Sequence, residues 1–354
     1  MEMRDLVVNF QKKCPELVRQ MMNSDHNFSL EEGILSPYHS EGTIFCHTMM
    51  VCLLAEQFKS PDLVKLASLL HDIGKPMAQE VFFEERKTKF IGHEGLSVAL
   101  TLDCLIKMGI KLRDKDLSLL MSLISHHTML YRIMESEKYE SKILEKFQRN
   151  KELYKLLIEL SRVDALGRFA ENKDKFLLLE PKLISLIDKI EDNVPTKITE
   201  NTITLLIGPP LSGKSTWLKS NRLNEVVICR DDIVFQMGGS GSYSERWNSI
   251  DQKEVDKEFN RLVTEALRSK KDVIIDKTNC SIKSRRSILS QAPKDYKKKA
   301  VVFYTPYDEL LKRNRQRFEK EGKYVNEGAI KQIIKSYFSP LYYEFDEIVD
   351  VFNY

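Results

Sequence analysis

The chain has 354 residues, of which 42% are hydrophobic and 30% charged, with 55 basic against 52 acidic side chains. That length fits about two domains, and the composition is that of a globular protein rather than a disordered or collagen-like one. No apolar run approaches the ~18 residues of a membrane helix, and MEMRDLVVNFQKK at the start carries early acids and no signal-like apolar core, so a cytoplasmic protein without membrane contact is expected.

Six cysteines, at 14, 46, 52, 104, 229 and 280, stand apart with no CxxC pair and read as reduced core or strand residues. Charge is uneven along the chain. Residues 1–200 carry 28 basic against 31 acidic groups, whereas residues 201–354 carry 27 against 21. A basic C-terminal half suits a polyanionic substrate such as nucleic acid.

In chain order, helix-period apolar patterns run through 44–58, 61–71, 95–108, 116–130, 142–169 and 175–190. Only VFFEERKTKFIG at 81–92 interrupts them, as a short hairpin or ordered loop. An all-α domain over residues 1–192 is expected. EDNVPTK at 191–197 is polar, contains a proline and separates two patterns, which makes it the expected linker. From 198 to 354 the pattern alternates: β-rich runs at 202–207, 225–229, 272–276, 299–304 and 347–352 are spaced by helical stretches at 251–269, 307–320 and 327–338. Strands spaced by helices predict an α/β domain with a parallel sheet.

All seven histidines lie at or before position 127. His47, the dyad His71-Asp72, His93, the neighbours His126 and His127, and Asp164 fall on successive predicted helices and fit one metal constellation, with one of the two adjacent histidines as a ligand. Mixed imidazole and carboxylate donors suit one or two divalent transition metals (Mn, Fe, Co, Ni or Zn). His26 and His39 do not fit the spacing and read as ordinary core or surface residues. The pattern H…HDIGK…H…HH…D resembles the HD-domain metallophosphohydrolase superfamily over roughly residues 40–170, and FIGHEGLSVA also resembles HD modules attached to tRNA nucleotidyltransferases. That resemblance implies one metal on His47, His71, Asp72 and Asp164, and a second completed by His93 with His126 or His127. It implies phosphoester hydrolysis, with Asp72 central to it. Lys75, Arg168 and Arg132 are candidates to hold the substrate phosphate.

The stretch GPPLSGKS at 208–215 fills every fixed position of GxxxxGK[ST], between an apolar strand-like run and the start of a helix. Gly208 and Gly213 let the backbone curl so that N–H groups face an anion. Lys214 reaches the outer phosphates, Ser215 can ligate Mg2+, and Thr216 completes the binding turn. The chain is therefore expected to bind ATP or another nucleoside triphosphate. Two further strand-like runs end on Arg230-Asp231-Asp232 and Asp276-Lys277-Thr278-Asn279, at the edge where parallel sheets bind ligands. A carboxylate there can take the proton of an attacking hydroxyl. Arg313 and Arg317, four apart, share a helical face and can close over the triphosphate.

The ordered set GxxxxGKST, RDD, DxTN, RNxxR and SPLYYEFDEI resembles the 5′-hydroxyl polynucleotide kinase family across essentially residues 200–354. The resemblance implies Asp231 as the base, Lys214 and Ser215 as phosphate and magnesium contacts, Asp276 and Asn279 on the acceptor side or supporting the site from behind, and Arg313 and Arg317 as lid arginines. One departure is Val234, where the family often carries an arginine; Arg285, Arg286 or Lys283 could replace it. An HD domain fused to such a kinase resembles bifunctional end-healing enzymes. Their partners would be RNA or DNA ends, RNA in preference, and a separate ligase. Two rival readings are a small-molecule kinase joined to an HD nucleotidase, and a non-catalytic RNA-binding regulator.

Overall fold

The structure is a computed structural model and describes all residues except 27–40, 83, 85–86, 170–173, 193–198, 242 and 354. The chain divides into two compact units, Met1–Val194 with Tyr337–Ser339, and Pro195–Ser336 with Pro340–Tyr354. Most of the expected linker at 191–197 lies outside the described residues, as does His39.

The first unit is helical, with α1 (Met3–Lys13), α2 (Pro15–Met22), α3 (Ile44–Gln57), α4 (Asp62–Leu70), α5 (Lys75–Ala78), α6 (His93–Met108), α7 (Asp114–His126), α8 (Met129–Met134), α9 (Tyr139–Phe147), α10 (Lys151–Leu166) and α11 (Asp174–Ser185). Thr43 caps α3 by accepting from the Cys46 N–H at 3.2 Å. Every residue from Val64 to Leu70 is buried, so α4 is the central helix, with α3, α7 and α10 packed on it. The segment at 81–92 holds a hairpin of β1 (Glu80–Phe82) and β2 (Lys87–Lys89), antiparallel.

Two boundaries differ from the sequence pattern. The stretch 142–169 is two helices, broken where Arg149 adopts φ +64° and its N–H donates to the Glu191 carbonyl at 2.8 Å. The stretch 116–130 breaks after His126. Apolar periodicity passes through both breaks because the core face continues across them.

The second unit carries one parallel sheet of β3 (Asn201–Ile207), β4 (Val226–Cys229), β5 (Val273–Asp276), β6 (Tyr296–Tyr304) and β7 (Glu347–Phe352), in the order β4-β5-β3-β6-β7. Its helices are α12 (Lys214–Asn221), α13 (Arg230–Met237), α14 (Tyr243–Ser249), α15 (Gln252–Arg268), α16 (Ile282–Leu289), α17 (Tyr307–Glu321) and α18 (Glu327–Lys335). Strand β3 is central and buried from Ile203 to Ile207 apart from a sliver of Thr204, as a near-continuous apolar run in a parallel sheet should be. Leu206, Ile274, Val301 and Phe303 form a core cluster under it, covered by Trp217 and Leu218 of α12. Arg230-Asp231-Asp232 is the first turn of α13 rather than a loop, and acids there favour the helix through its dipole. Among the described residues no helix is long and apolar enough to cross a membrane.

Candidate functional site

In the first unit, α3 supplies His47, the end of α4 supplies His71 and Asp72, α6 opens on His93, α7 is followed by His127, and α10 supplies Asp164 near its end. All six side chains are buried. Gly74 makes the arrangement possible: a Cβ there would stand 2.5 Å from the His93 carbonyl oxygen and 2.5 Å from the Ser97 nitrogen. Only a glycine lets α6 come this close and bring His93 to Asp72, whose Oδ1 is 3.3 Å from His93 Nε2.

Among the described residues two donor sets form, His47 with His71 and Asp164, and Asp72 with His93 and His127, each with its ligand atoms within 4.8 Å of one another. Asp72 thus groups with the second set, while its Oδ2 stands 3.2 Å from His71 Nε2 and 3.6 Å from His47 Nε2 and so faces the first as well. His126 belongs to neither set. Its Nδ1 is turned to the Ser122 carbonyl on its own helix at 2.8 Å, and of the adjacent pair only His127 enters the cluster.

The residues fit a bound cation. The Nδ1 atoms of His71, His93 and His127 donate to the carbonyls of Ser68, Phe90 and Ile124 at 3.0, 2.8 and 2.7 Å, which leaves each Nε2 lone pair aimed into the cluster. His47 Nδ1 is oriented by Glu41 Oε1 at 2.9 Å. Among the described residues, His71 Nε2, Asp72 Oδ1 and Asp164 Oδ1 are buried with no hydrogen bond to satisfy them. With imidazole and carboxylate donors and no thiolate, the set suits a divalent transition metal.

Burial alone would raise the carboxyl pKa of Asp72, but His71, Lys75 and His127 outweigh it and hold it well below the usual range. Asp164 is likewise held well below, burial being overcome by Arg168 and His47. His127 is lowered, mainly by burial, with His93 and His71 adding to it against Asp72. Ionised carboxylates beside a neutral imidazole are the state a metal requires.

Lys75 and Arg168 are engaged with the two aspartates. Lys75 Nζ lies 2.8 Å from Asp72 Oδ2 and 3.0 Å from His26 Nε2, and Arg168 is ion-paired to Asp164 while its guanidinium covers the Tyr131 ring at 4.7 Å. Glu94 escaped the sequence reading. Burial pushes its carboxyl up, yet His93, His127 and Arg132 bring it down to about 2, and it holds Arg132 at 2.5 Å and the Thr128 hydroxyl at 2.8 Å. Its one signal was its place directly after His93.

In the second unit, residues 208–214 curl between β3 and α12. Leu211 at φ +71° and Gly213 at φ +95° alternate the peptide planes into an anion-binding nest. A Cβ on Gly208 would meet Ser212 Oγ at 2.6 Å and Phe303 Cβ at 3.1 Å. Lys214 Nζ bonds the Gly208 and Pro209 carbonyls at 2.9 and 2.7 Å, and burial lowers its pKa against the pull of Asp276. The outer carbonyls of the loop are held from outside: Arg313 donates to Leu211 O at 3.1 Å, while Asn353 and Thr305 donate to Ser212 O at 2.8 and 3.3 Å. Carbonyls held outward turn the following N–H groups inward, toward where phosphates bind. A cavity of about 680 Å³ opens here, lined by Lys214, Ser215, Thr216, Arg313, Arg317 and Lys323 among others. Asn353, Thr305 and Lys323 belong to no motif and could not be singled out by sequence.

Asp231 lies in the first turn of α13 just past β4, and Asp276 ends the neighbouring β5, in register with Cys229. Burial raises the Asp276 pKa, with Asp231 and Asp232 adding to it against Lys214. Lys323 Nζ lies 4.0 Å from Asp231 Oδ2.

Two of the residues offered for the acceptor side are turned away from solvent. Asn279 is fully buried at φ +46°, and its amide donates to Leu206 O at 2.9 Å, so it braces β3 instead of facing a substrate. Arg285 is fully buried too, paired with both oxygens of Glu344 at 2.8 Å and donating to the Asn279 and Cys280 carbonyls. It cannot replace the arginine missing at Val234, which is itself buried; Arg286 and Lys283 remain exposed.

Among known proteins, the family model for the HD domain matches residues 44–191 and the model for an AAA domain matches residues 203–340. No curated protein matches the chain. Of solved structures, the Pnkp1/Rnl/Hen1 RNA repair complex is similar at 28% identity over 41% of this chain and 45% of that one, with a TM-score of 0.33. A second structure of the Pnkp1/Rnl/Hen1 complex gives 27% over 34% and 40%, at 0.28. A gluconokinase from Sinorhizobium meliloti 1021 gives 13% over 43% and 82%, at 0.30. This chain therefore spans less than half the length of the first two. The chain joins an HD domain to a P-loop domain of the AAA class, in that order.

Proposed function

We propose that this protein heals nucleic-acid ends, RNA ends above all, with two separate active sites. The second unit transfers the γ-phosphoryl group of ATP or another triphosphate to a 5′-OH, and the first removes a 2′,3′-cyclic, 2′- or 3′-phosphate. The observation that carries the reading is the meeting of Asp231, Asp276 and Lys214 at one sheet edge, in a chain that also gathers six buried side chains able to hold a metal.

In the kinase step Asp231 takes the proton of the 5′-OH as its oxygen bonds the γ-phosphorus. The bond from that phosphorus to the bridging oxygen breaks, and the nucleoside diphosphate leaves. Lys214, Arg313 and Arg317 spread the charge on the transferring group, Ser215 would hold Mg2+, and Gly208 and Gly213 keep the loop open to the phosphates. Asp276 opposes the lowering that burial imposes on Lys214.

In the first unit, a metal on His47, His71, Asp164, Asp72, His93 and His127 would supply an activated water and polarise a phosphoryl oxygen. Lys75 and Arg168 stand against the two ligand carboxylates, and their charges suit the phosphate oxygens of the substrate. Arg132, steadied by Glu94 and 59% exposed, suits the solvent side of the same group.

The test is a short RNA bearing a 5′-OH and a 2′,3′-cyclic phosphate, incubated with ATP, magnesium and manganese and read at both ends by mass spectrometry. The expected result is a gained 5′-phosphate lost only in Asp231→Ala, and a cyclic phosphate retained only in Asp72→Ala. If the wild-type protein alters neither end, the proposal fails.

A further inference from the structure

We infer that the surface formed by α13 and α14 is a stacking platform for the bases of the acceptor strand, a subsite that binds single-stranded polynucleotide next to its 5′-OH. The inference rests on the kinase reading given above and extends it to how the substrate is held. Phe235 lies one helical turn after Asp231 on α13, about 6 Å farther along the axis on the same face. It is 55% exposed, and Trp247 on α14 is 37% exposed. Large aromatic side chains exposed on the elements next to a polar site call for a partner.

The two aromatic rings carry cations. The Arg246 guanidinium covers Phe235 at 4.0 Å, and that of Arg230 covers Trp247 at 4.9 Å. Both arginines are held in place by neutral or single-charge contacts. Arg246 donates to Phe235 O at 2.6 Å and Gly241 O at 2.9 Å, which fastens α14 to α13. Arg230 donates to Asp256 and Gln252 at 2.9 Å each. A guanidinium has five N–H donors, so Arg246 keeps several for a phosphate oxygen after making these two bonds.

Rings for bases beside cations for phosphates are the chemistry of sequence-tolerant single-strand binding. The platform also answers the departure at Val234. With that side chain buried, no arginine of α13 can grip the acceptor phosphate from that position, and Arg246 supplies a cation from the adjoining helix. A nucleoside or sugar acceptor reaches only Asp231; an oligonucleotide reaches the platform as well. Stacking does not read the 2′-OH, so RNA and DNA strands gain alike.

The experiment compares KM for a 5′-OH RNA decamer, the DNA of the same sequence, and a nucleoside 3′-phosphate, in wild type, Phe235→Ala, Trp247→Ala and Phe235→Tyr. Thermal unfolding and Mg–ATP binding serve as checks of the fold. Each alanine should raise KM for both decamers about tenfold while kcat stays within about twofold, and the ratio of decamer to mononucleotide KM should rise with it. Phe235→Tyr should restore the decamer KM. Unchanged decamer KM values in the alanine variants, or an equal rise for the mononucleotide, overturn the platform. A wild type that phosphorylates the nucleoside 3′-phosphate but neither decamer overturns the polynucleotide reading itself.

Discussion

His93 Nε2 and His127 Nε2 face each other at 3.1 Å, while the Nδ1 of each ring donates to a backbone carbonyl. Two ring nitrogens facing each other in this way can both ligate a cation set between them. Asp72 Oδ1, within 3.3 Å of one ring and 3.6 Å of the other, supplies the negative charge that such a cation needs.

The adjacent histidines should therefore separate cleanly. His127→Ala should lose at least one equivalent of bound divalent metal per chain, measured by elemental analysis after dialysis against manganese. His126→Ala should keep the wild-type content, since its ring is turned to Ser122. Equal losses in both would show that His126 reaches the ions.

Gly74→Ala is predicted to be damaging without touching a ligand. The added methyl would meet two backbone atoms of α6 at 2.5 Å, and backbone yields less readily than a side-chain tip. A loss of about 1–3 kcal/mol is expected for overpacking of this kind, together with weaker metal binding. Chemical denaturation in the presence of a chelator isolates the stability effect, and an unchanged midpoint would contradict the close packing.

Asn353 should act on nucleotide binding through the Ser212 carbonyl. Asn353→Ala removes one donor, worth about two- to tenfold in ATP affinity. Asn353→Asp should be worse, because it sets a carboxylate against a carbonyl oxygen where the amide stood at 2.8 Å. Titration with a fluorescent ATP analogue orders the three proteins; an aspartate that binds better than alanine would remove the assignment.

Asp276 links the kinase site to stability. Its folded pKa is raised by burial, so the stability it contributes is complete below the unfolded value of about 3.9 and is lost as pH rises through the folded value. Asp276→Asn should accordingly stabilise the nucleotide-free protein near pH 7, with the gain fading below about pH 4. Denaturation midpoints across that range give the sign directly, and the same variant should lose phosphoryl transfer.

The parallel sheet and the helical unit were legible because their apolar periods are long and regular; TITLLI could hardly be anything but a buried strand. The P-loop and the His-Asp dyad were legible because their residues are neighbours in sequence. Asn279 stayed open between a substrate contact and a supporting role because a motif position does not say which way an amide points, and here it points at the backbone of β3. Arg285 misled for the same reason: its partner Glu344 is 59 residues away, a separation no local pattern reveals. Thr305 and Asn353 were invisible because each acts through one hydrogen bond to a carbonyl, and residue type alone does not mark that.

The bond from Asn353 to Ser212 spans 141 residues. During synthesis the phosphate loop therefore leaves the ribosome well before β7, the strand whose end steadies it. At roughly 5–20 residues per second the nascent chain carries the complete GPPLSGKS motif for about 7–30 seconds without its outer brace. On the proposed function, nucleotide affinity therefore depends on the docking of β7 as well as on the loop itself. A nucleotide that bound the braced loop more tightly would favour the docked position of β7 by mass action.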